Sequence, residues 1–545
     1  MSDLTTAVAY PAEMAAQYRA AGYWTDETPQ QWLAHWAAKQ PAALAGIGAG
    51  PPLTYGSLYD QARRVAAGLL KLGFRKGDAI GIQLPNSPEL MIAFHGIQLM
   101  GGVVCMLHMP YREMELAPML KHAGARAVFC HNALESYDAA ACMLSLAKSV
   151  PSLETVIVAV GEAPPGTVAF ADLVAGEPVE IADPPQAADP AVIAFTSGTT
   201  ASPKAVVHPH YTLAASARIS VGDTGWTSRD VVLCAPAFTH AFGLTVMLAV
   251  LNAGAAAALM AAYTPPALAE TIKSTKATSL CCGPAHVFAN ARAGLLGQGI
   301  TDTIRSAFVG GAHCPPQAIQ TLQDACPNGT IYQIWGMTEV LMGVINPLDA
   351  PLDLRLRSIG TPPAGHDLRV VGDDDTVLGV DREGELQIRG PFLFRGYYNN
   401  EEASRLAFTD DGWFRTGDIA RIDSDGNVYM TGRTKDIINR GGIKINPVDI
   451  ELMLEEHPSV MQAAIIPYPH DILGERACLV IVPRPGQSMS IGQMQDYLTS
   501  RGVAKIRWPE RIETVQAMPM TPTRKIIKGK LAQQVLNKSP ATGLK

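Results

Sequence analysis

Apolar residues in the first 350 positions alternate between helical and strand-like spacing. A helix is predicted just before Gly73 from apolar residues three or four apart: Leu58, Ala62, Val65, Leu69 and Leu72. A second helix is predicted from Pro85-Asn86-Ser87 to about Met100. Short apolar runs predict buried strands at residues 78–84, 127–129, 155–158, 192–195, 279–282 and 306–309. Helices that alternate with such strands predict an α/β fold, with parallel sheets covered by helices.

One long stretch, residues 231–269, has no charged side chain, and residues 246–260 within it could pass for a membrane span. The stretch nevertheless divides into smaller elements. Residues 243–251 are predicted to form a buried helix, residues 252–254 end it, and residues 255–260 are predicted to form a short interior strand. The pattern therefore indicates part of a protein core rather than a membrane anchor.

The spacing of apolar residues changes after about Gly360. Short strands are predicted at residues 385–389, 428–431 and 437–438, and the turn signals between them are typical of antiparallel hairpins: Asp411-Gly412 and Asp425-Gly426. Helices and strands then alternate again, at residues 447–456, 462–466, 477–482 and 491–501. We therefore predict an N-terminal domain of residues 1–434 and a small α+β domain of residues 435–545, joined near Gly432-Arg433-Thr434-Lys435.

Composition and charge narrow the class of protein. The 545 residues are 48% hydrophobic and 17% charged, which excludes a disordered chain. A net charge of −7 gives no basic field, so neither a nucleic acid nor a membrane surface is an expected partner. The nine cysteines form no paired CxxC motifs and indicate reduced thiols. The N-terminal residues show no signal peptide, and a cytoplasmic location is expected.

The most specific motif follows the apolar strand at residues 192–195. It reads Thr196-Ser197-Gly198-Thr199-Thr200-Ala201-Ser202-Pro203-Lys204. Its hydroxyl groups and its glycine suit phosphate oxygens, and Lys204 adds a cation. The spacing is not that of the GxxxxGK[ST] loop of ordinary NTPases. A Ser/Thr-rich surface turn would explain the composition but not the Pro-Lys end after a buried strand, so a phosphate-binding loop is favoured.

Two further segments carry polar side chains that suit a nucleotide. In the segment from Tyr332 to Glu339, an aromatic ring could stack on a base, Thr338 could bind a phosphate and Glu339 could hold Mg²⁺. In the segment from Gly412 to Asp418, the aspartate could accept hydrogen bonds from ribose hydroxyls. Taken alone, the first reads equally as a buried strand with a capped turn, and the second as a hairpin aspartate.

The last segments lie beyond Thr431. Gly432-Arg433-Thr434-Lys435-Asp436 is followed by Arg440-Gly441-Gly442-Ile443-Lys444, and a turn near the C-terminus reads Pro519-Met520-Thr521-Pro522-Thr523-Arg524-Lys525. A single lysine in such a turn is usually a solvated surface charge.

The five segments in this order resemble the ANL superfamily of adenylate-forming enzymes, which includes acyl-CoA synthetases, peptide-synthetase adenylation domains and firefly-type luciferases. The resemblance runs from about Leu53 to Leu531. Two segments are most similar to CoA ligases for medium-chain or alicyclic acids such as cyclohexanecarboxylate: Trp335-Gly336-Met337-Thr338-Glu339 and Trp508-Pro509-Glu510-Arg511. The implied fold has two αβαβα-type subdomains, a β-barrel-like subdomain and a mobile C-terminal domain.

The resemblance implies nucleotide-binding roles at the matching positions. The β- and γ-phosphates are expected at Thr196, Ser197, Gly198, Thr199, Thr200 and Lys204. Adenine is expected beside Gly311, Ala312 and Trp335, and ribose at Asp418 and Arg433. Thr338 is expected at the α-phosphate and Glu339 at Mg²⁺. Lys525 is expected to bridge the attacking carboxylate and the α-phosphate, and Lys435 to be the hinge of the C-terminal domain.

The resemblance also places the acid and the acceptor. His240 matches a position beside the acyl carboxylate, which puts it with Lys525, Thr338 and Glu339 among the expected catalytic residues. The expected acyl pocket has little charge and so favours an apolar acid over an amino acid: His240, Phe242, Gly310, Gly311, Met337 and Met342. Coenzyme A is expected at Gly441, Gly442 and Lys444.

The implied activity is that of an acid–thiol ligase of fatty acid metabolism. It would use ATP and Mg²⁺ to form an acyl-AMP, then transfer the acyl group to coenzyme A; a homodimer is compatible with the resemblance. The alternative is an enzyme that loads a separate carrier protein, because no carrier-attachment motif of the type LGGxS occurs in the chain. A luciferase-type oxygenase is less favoured. A relative without activity would be expected to have lost Glu339, Asp418 or Lys525, all of which are present.

Two positions depart from the family pattern. Arg524 stands where glycine usually precedes the catalytic lysine, and Asp449 replaces a more usual glutamate in the helix after the hinge. Neither change removes a reacting group.

Overall fold

The computed structural model describes residues 4–134, 137–196, 204–297, 299–440, 443–470, 473–521 and 525–536. The chain forms two compact units. The first contains Met1–Asp367 and Arg389–Phe414, and the second contains Leu368–Ile388 and Arg415–Lys545.

The strands of the first unit are mostly short and buried. In chain order they are β1 (Leu44–Gly48), β2 (Gly50–Thr54), β3 (Ala79–Gln83), β4 (Val103–Met106), β5 (Ala127–Asn132), β6 (Thr155–Gly161), β7 (Val168–Ala169), β8 (Pro190–Thr196), β9 (Lys204–Pro209), β10 (Val231–Cys234), β11 (Ala256–Leu259), β12 (Ser279–Cys282), β13 (Ser306–Gly310), β14 (Thr330–Met337) and β15 (Leu341–Ile345).

Helices of the first unit separate most of these strands along the chain. They are α1 (Ala12–Ala20), α2 (Pro29–Lys39), α3 (Tyr55–Lys71), α4 (Pro88–Leu99), α5 (Glu113–Ala123), α6 (Ala139–Ser149), α7 (Phe170–Ala175), α8 (His210–Thr224), α9 (Ala241–Ala253), α10 (Pro265–Thr275), α11 (Pro284–Arg292), α12 (Pro316–Ala325), α13 (Leu352–Arg357) and α14 (Glu401–Ala407). A 3₁₀ helix, Leu4–Val8, precedes them.

Two sheets share the first unit. In the described residues, one has the strand order β15-β14-β13-β12-β10-β11-β1-β2 and the other has β7-β6-β5-β3-β4-β8-β9. Their interior strands are parallel, and antiparallel partners lie only at the edges: β15, β2 and β9. One apolar core includes side chains of both sheets, such as Phe129 and Phe308, together with the helices between them. The predicted helix-covered parallel sheets are therefore confirmed.

Local sequence explains where the central helices begin and end. Ser87 caps α4, because its Oγ accepts a hydrogen bond from the Leu90 amide at 3.3 Å, and Pro88 occupies the first turn. Helix α9 ends at Ala253 and is followed by Gly254, whose φ of 69° suits glycine. The apolar stretch from 231 to 269 divides as predicted into α9, a glycine stop and β11. In the part of the chain that the structure describes, no helix is long and apolar enough to cross a membrane.

The second unit contains two further sheets. Its elements are β16 (Asp367–Val371), β17 (Gly384–Arg389), β18 (Phe414–Ile422), β19 (Val428–Arg433), β20 (Ile438–Arg440), β21 (Ile443–Ile445), α15 (Val448–Glu455), β22 (Val460–His470), β23 (Gly474–Pro483), α16 (Ile491–Ser500), β24 (Arg511–Thr514) and α17 (Lys528–Leu536). Short 3₁₀ helices cover Thr434–Asp436 and Lys505–Arg507. In the described residues, β16-β17-β18-β19 form one sheet and β21-β20-β23-β22, with β24 beside β23, form the other.

The fold is thus α/β, with a large N-terminal and a small C-terminal part, as predicted. At the position of the predicted β-barrel-like subdomain, the described residues form the four-stranded sheet β16–β19. By its contacts this sheet belongs to the second unit, whereas the predicted division at residues 434 and 435 falls inside that unit. That domain boundary stays a prediction.

Candidate active site

The predicted phosphate-binding motif joins two antiparallel strands. Thr196 is the last residue of β8 and Lys204 is the first residue of β9, and the two residues pair in register. Ser197, Gly198, Thr199 and Thr200 lie outside the described residues. The motif differs from the phosphate loop of ordinary NTPases, which runs from a strand into a helix.

Lys204 and Glu339 are linked through a tyrosine that the sequence analysis did not select. Nζ of Lys204 lies 4.8 Å from the centre of the Tyr397 ring, as in a cation–π contact. The Tyr397 hydroxyl donates a 2.8 Å hydrogen bond to Oε1 of Glu339, whose side chain is buried. Burial raises the pKa of Tyr397, and the Glu339 carboxylate raises it further. Tyr397 is therefore a neutral hydrogen-bond donor at neutral pH.

Backbone contacts bring these three residues together across large sequence distances. The Phe394 amide donates to the carbonyl of Glu339 at 2.8 Å, and the Tyr398 amide donates to the carbonyl of Ala205 at 2.8 Å. Tyr397 also forms an isolated bridge with Val206 on β9. The segment from Phe394 to Tyr398 is thus held both to the turn at Glu339 and to the strand that begins at Lys204.

Thr338 and Glu339 lie at the tip of the β14–β15 hairpin. The Val340 amide donates to the Met337 carbonyl at 3.1 Å, and Leu341 adopts a φ of 55°, which is uncommon for a branched side chain. Glycine is required at position 343 because a Cβ atom there would lie 2.3 Å from the Trp335 ring. The hairpin therefore places Trp335, Thr338 and Glu339 within one tight segment.

The Thr338 backbone is held by a buried histidine. Nε2 of His208 lies 2.7 Å from the Thr338 carbonyl oxygen, and Nδ1 lies 3.3 Å from Oγ1 of Thr212. Burial lowers the pKa of His208 to about 4, so its ring is neutral at pH 7. A carbonyl can only accept, so Nε2 carries the proton. Nδ1 is then an acceptor that faces the Thr212 hydroxyl, whose one proton also has the Pro209 carbonyl, 3.0 Å from Oγ1, as an acceptor. His208 fixes the loop without carrying charge into it.

His240 is positioned by its own helix. It is the N-cap of α9, and its Nδ1 accepts a 3.2 Å hydrogen bond from the Phe242 amide. The preceding loop is fixed by Asn86, whose Nδ2 donates to the carbonyls of Cys234 and Pro236 and whose Oδ1 accepts from the Phe238 amide. The loop is therefore held in one conformation before it reaches the histidine.

Some of the predicted acyl-pocket residues lie next to one another. A Cβ atom on Gly311 would lie 3.6 Å from the Phe242 ring, so the two residues are in contact range. Met342 pairs in register with Gly336, one residue before Met337, and its Sδ accepts from Ser220 Oγ on α8. Gly310 ends β13 and cannot carry a side chain, because a Cβ there would lie 2.2 Å from the Ile334 carbonyl.

The two predicted ribose ligands bind each other in the second unit. Asp418 on β18 and Arg433 at the end of β19 are register partners, with Nε of Arg433 2.8 Å from Oδ1 of Asp418. The Asp418 amide donates to Oγ1 of Thr416 at 3.1 Å, and Gly417 between them has a φ of 69°. A buried carboxylate beside a guanidinium is a suitable receptor for vicinal hydroxyls.

Ala312, two residues after the end of β13, belongs to the first unit, and the other remaining predicted residues belong to the second. Lys435 lies in the 3₁₀ turn Thr434–Asp436, where burial and the Arg433 charge lower its pKa. Lys525 is bonded to Thr521 through its backbone: its amide donates to Oγ1 of Thr521 at 3.0 Å, and its carbonyl accepts from the Thr521 amide at 2.8 Å. Lys444 lies on β21. Gly441, Gly442 and Arg524 lie outside the described residues.

A magnesium ion would have Glu339 as its ligand from the protein. Among the residues that the structure describes, His, Cys, Asp and Glu form no group of three or more that could hold a metal ion. Mg²⁺ at nucleotide sites is usually held by one or two carboxylates together with phosphate oxygens. A buried carboxylate with one oxygen fixed by Tyr397 fits that donor set.

The chain belongs to the AMP-binding enzyme family. The model of this family matches residues 33–398, and the model of the AMP-binding enzyme C-terminal domain matches residues 449–525. The predicted membership in the superfamily of adenylate-forming enzymes is thereby confirmed, and the chain is an adenylate-forming ligase.

Several relatives cover almost the whole chain. Salicylyl-CoA synthase / salicylate adenylyltransferase of Streptomyces sp is 32% identical over 98% of both chains. Salicyl-AMP ligase / salicyl-S-ArCP synthetase of Mycobacterium tuberculosis is 31% identical over 97% of this chain and 94% of its own. The medium-chain fatty-acid–CoA ligase of Escherichia coli is 28% identical over 98% of this chain and 95% of its own. ATP-bound MatB from Rhodopseudomonas palustris has the same fold, with 25% identity, a TM-score of 0.83, and 93% and 99% of the two chains covered.

Sequence reasoning missed Tyr397 and His208 for different reasons. Tyr397 stands in Arg395-Gly396-Tyr397-Tyr398, a segment that has neither a carboxylate nor a Ser/Thr-Gly pattern to indicate a metal or phosphate site. Its only signal was a paired aromatic after a glycine. His208 lies on a buried strand, where histidine usually has a packing role.

Proposed function

We propose that this enzyme activates an apolar carboxylic acid with ATP as acyl-AMP and then transfers the acyl group to coenzyme A, releasing pyrophosphate and AMP. The observation that carries the proposal is the chain of contacts Lys204–Tyr397–Glu339. It joins the end of a phosphate-binding motif to a buried carboxylate suited to Mg²⁺. A cation for phosphate oxygens and a metal ligand, held together by one tyrosine, form the receptor that a triphosphate needs.

Charge is the physical problem that these residues address. A carboxylate and a triphosphate repel each other, so attack on the α-phosphorus requires cations that hold both and offset developing charge. We assign β- and γ-phosphate binding to Lys204 and the α-phosphate to Thr338, whose backbone is fixed by His208. Mg²⁺ held by Glu339 would supply further positive charge at the phosphates. Asp418 and Arg433 would bind the ribose.

The carboxylate of the acid attacks the α-phosphorus in this scheme. Its oxygen forms a bond to phosphorus, the bond to the β-phosphate oxygen breaks, and pyrophosphate leaves. We assign to Lys525 the cation that binds both the attacking carboxylate and the α-phosphate, and we place His240 beside that carboxylate. The thiolate of coenzyme A then attacks the acyl carbon and displaces AMP.

The predicted acyl pocket supports an apolar acid. Phe242, Met337 and Met342 offer apolar surface, and none of the pocket residues is a carboxylate that could bind the ammonium group of an amino acid. The names of the relatives include an aryl acid and a medium-chain fatty acid, and both types have a mostly apolar body. A role in fatty acid metabolism belongs to this part of the proposal.

Coenzyme A is the proposed acceptor, and a separate carrier protein is the second candidate. Two relatives carry CoA in their names and one is named for transfer to a carrier protein. All nine cysteines of the chain are free, which is usual in the reducing cytoplasm, where both acceptors occur. A cytoplasmic location is therefore part of the proposal.

The test is ATP–pyrophosphate exchange across a panel of acids that includes octanoate, cyclohexanecarboxylate, benzoate, salicylate and phenylalanine. We expect exchange with one or more of the apolar acids and none with phenylalanine. Thioester formation is then measured with coenzyme A and with a phosphopantetheinylated carrier protein. Thioester on the carrier but not on coenzyme A would establish the second candidate, and the absence of exchange with every acid would contradict the proposed function.

A further inference from the structure

A buried glutamate of the second unit pairs with a lysine that lies three residues after Lys525. Oε1 of Glu451, on α15, lies 2.7 Å from Nζ of Lys528, the first residue of α17. The side chains are only 13% and 17% exposed, respectively. Burial raises the pKa of Glu451, and the Lys528 ammonium opposes that shift. Either charge would be costly to bury without the other, so the pair holds its two helices together.

The same carboxylate also binds the sheet. Oε1 of Glu451 accepts a hydrogen bond from the Ile465 amide on β22. Glu451 therefore joins α15, β22 and the start of α17 at one point. This arrangement fixes where α17 begins relative to the rest of the second unit.

The short segment between Lys528 and Lys525 is itself held by backbone hydrogen bonds. The Ile527 amide donates to the Pro519 carbonyl at 2.8 Å, and the Thr521 amide donates to the Lys525 carbonyl at 2.8 Å. The Lys525 amide donates back to Oγ1 of Thr521 at 3.0 Å. Few free torsions remain between the ion pair and the backbone of Lys525, so displacement of Lys528 is transmitted to that lysine.

We propose that the Glu451–Lys528 ion pair positions Lys525 for adenylate formation. Glu451 and Lys528 act through Lys525 and are positioning residues. This inference rests on the proposed function, in which Lys525 serves the first half-reaction and not the second. It predicts that loss of the ion pair damages acyl-AMP formation selectively.

The experiment compares two variants of the pair with a matched control on the same helix. Glu451→Gln and Lys528→Met remove one charge each with little change in side-chain length. Asp449→Asn is the control, because Asp449 is two residues before Glu451 and forms its own ion pair, 2.6 Å from Arg507. Each full-length variant is assayed for ATP–pyrophosphate exchange, for thioester formation from supplied acyl-AMP, and for its melting temperature.

We expect Glu451→Gln and Lys528→Met to lower pyrophosphate exchange about tenfold and to leave thioester formation within about twofold of wild type. The double variant should be no worse than either single variant, because both remove the same interaction. Asp449→Asn should leave both half-reactions within about twofold. Equal losses in both half-reactions, parallel to the fall in melting temperature, would show a purely stabilising pair and overturn the proposal.

Amide hydrogen exchange supplies a readout that does not depend on activity. The Thr521 amide, which is bonded to the Lys525 carbonyl, should exchange about tenfold faster in Glu451→Gln and at the wild-type rate in Asp449→Asn. Unchanged exchange at Thr521 would overturn the positioning role even if activity fell. Lys525→Ala is assayed in parallel to separate the two proposals. If the wild-type protein shows no acid-dependent ATP–pyrophosphate exchange at all, the proposed function fails. If Lys525→Ala loses pyrophosphate exchange selectively but Glu451→Gln does not, only the positioning proposal is overturned.

Discussion

Tyr397 is the residue that links Lys204, in the proposed phosphate motif, to Glu339, the proposed metal ligand. Its ring faces Lys204 while its hydroxyl binds Glu339. Tyr397→Phe keeps the ring and removes only the donor to the carboxylate. A group that orients a metal ligand typically contributes tenfold or more to metal affinity. We therefore expect the Mg²⁺ concentration for half-maximal pyrophosphate exchange to rise about tenfold.

The control for this variant is Tyr55→Phe. The Tyr55 side chain is also buried, and its hydroxyl donates a 2.7 Å hydrogen bond to the Ala255 carbonyl. It tests the general loss of one buried hydroxyl. If Mg²⁺ dependence is unchanged in Tyr397→Phe, or shifts equally in Tyr55→Phe, Tyr397 does not orient a metal ligand.

Lys525 supplies a second prediction at the scale of one side chain. Its backbone amide and carbonyl are both bonded to Thr521, so the variant Lys525→Ala removes the ammonium and keeps these backbone groups. We expect adenylate formation to fall about a hundredfold or more, the scale of a lost charged contact to the transition state. Thioester formation from supplied acyl-adenylate should largely survive. A matched fall in both half-reactions would contradict the assigned role.

At the scale of helices and strands, local signals were sufficient where an element is short and bounded. The strand predicted at residues 279–282 is β12 without change, and the helix predicted to end near Met100 is α4, which ends at Leu99. The hairpin between β18 and β19 turns at Asp425-Gly426, as predicted, with a φ of 82° at the glycine. Caps, glycines and apolar runs are encoded within a few residues, so they can be read from sequence.

Pairings between distant segments could not be read from sequence in the same way. No periodicity indicates that β9 returns antiparallel to β8, or that Tyr397 lies against Glu339, 58 residues earlier. The strand order β7-β6-β5-β3-β4-β8-β9 depends on how long connections cross the sheet. The family resemblance supplied site positions that local chemistry left open, such as Asp418, but it gave no sign that Asp418 and Arg433 pair with each other.

Helix α8 contains a carboxyl group that its environment disfavours. Asp223 lies in the last turn, where the helix dipole opposes a negative charge, and its Oδ2 is buried without a hydrogen-bond partner among the described residues. Burial raises its pKa from the ordinary value of 3.8 to about 6. A raised carboxyl pKa means that the folded state binds the proton more tightly, so stability from this group is lost as pH rises from about 4 to about 6.

Asp223→Asn should remove the loss of stability that this carboxyl group causes as pH rises. We expect the free energy of unfolding to increase by about 1 kcal/mol at pH 8, after allowance for partial exposure, and to change little at pH 4. Urea denaturation at the two pH values measures the difference. Asp324→Asn is the control, since Asp324 is in the last turn of α12 but exposed. A gain at pH 8 that is equal in both variants would assign the effect to the helix dipole and not to burial.

At the scale of the whole molecule, the chain passes between its two units more than once. Contacts divide it after Asp367, after Ile388 and after Phe414, so the sheet β16–β19 belongs with the C-terminal residues. The predicted hinge at Lys435 lies beyond all three crossings, inside the second unit. A pivot at Lys435 would require the sheet β16–β19 and the sheet β20–β24 to move as separate bodies.

The variant Lys435→Pro tests whether the backbone turns at this residue. Proline fixes φ near −65° and removes the amide donor, so a hinge at this position could no longer rotate. Lys435→Ala is the matched control, because it removes the same ammonium and leaves the backbone free. If Lys435 is the pivot and the fixed state is the one that presents Lys525, pyrophosphate exchange should persist in Lys435→Pro while transfer from acyl-AMP to coenzyme A falls at least tenfold. Lys435→Ala should retain both half-reactions.

A melting curve separates the selective defect expected of Lys435→Pro from unfolding, which would lower both half-reactions together. A folded Lys435→Pro variant with both half-reactions at wild-type rates would place the pivot elsewhere, and the crossing between Phe414 and Arg415 would then be the next position for the same substitution.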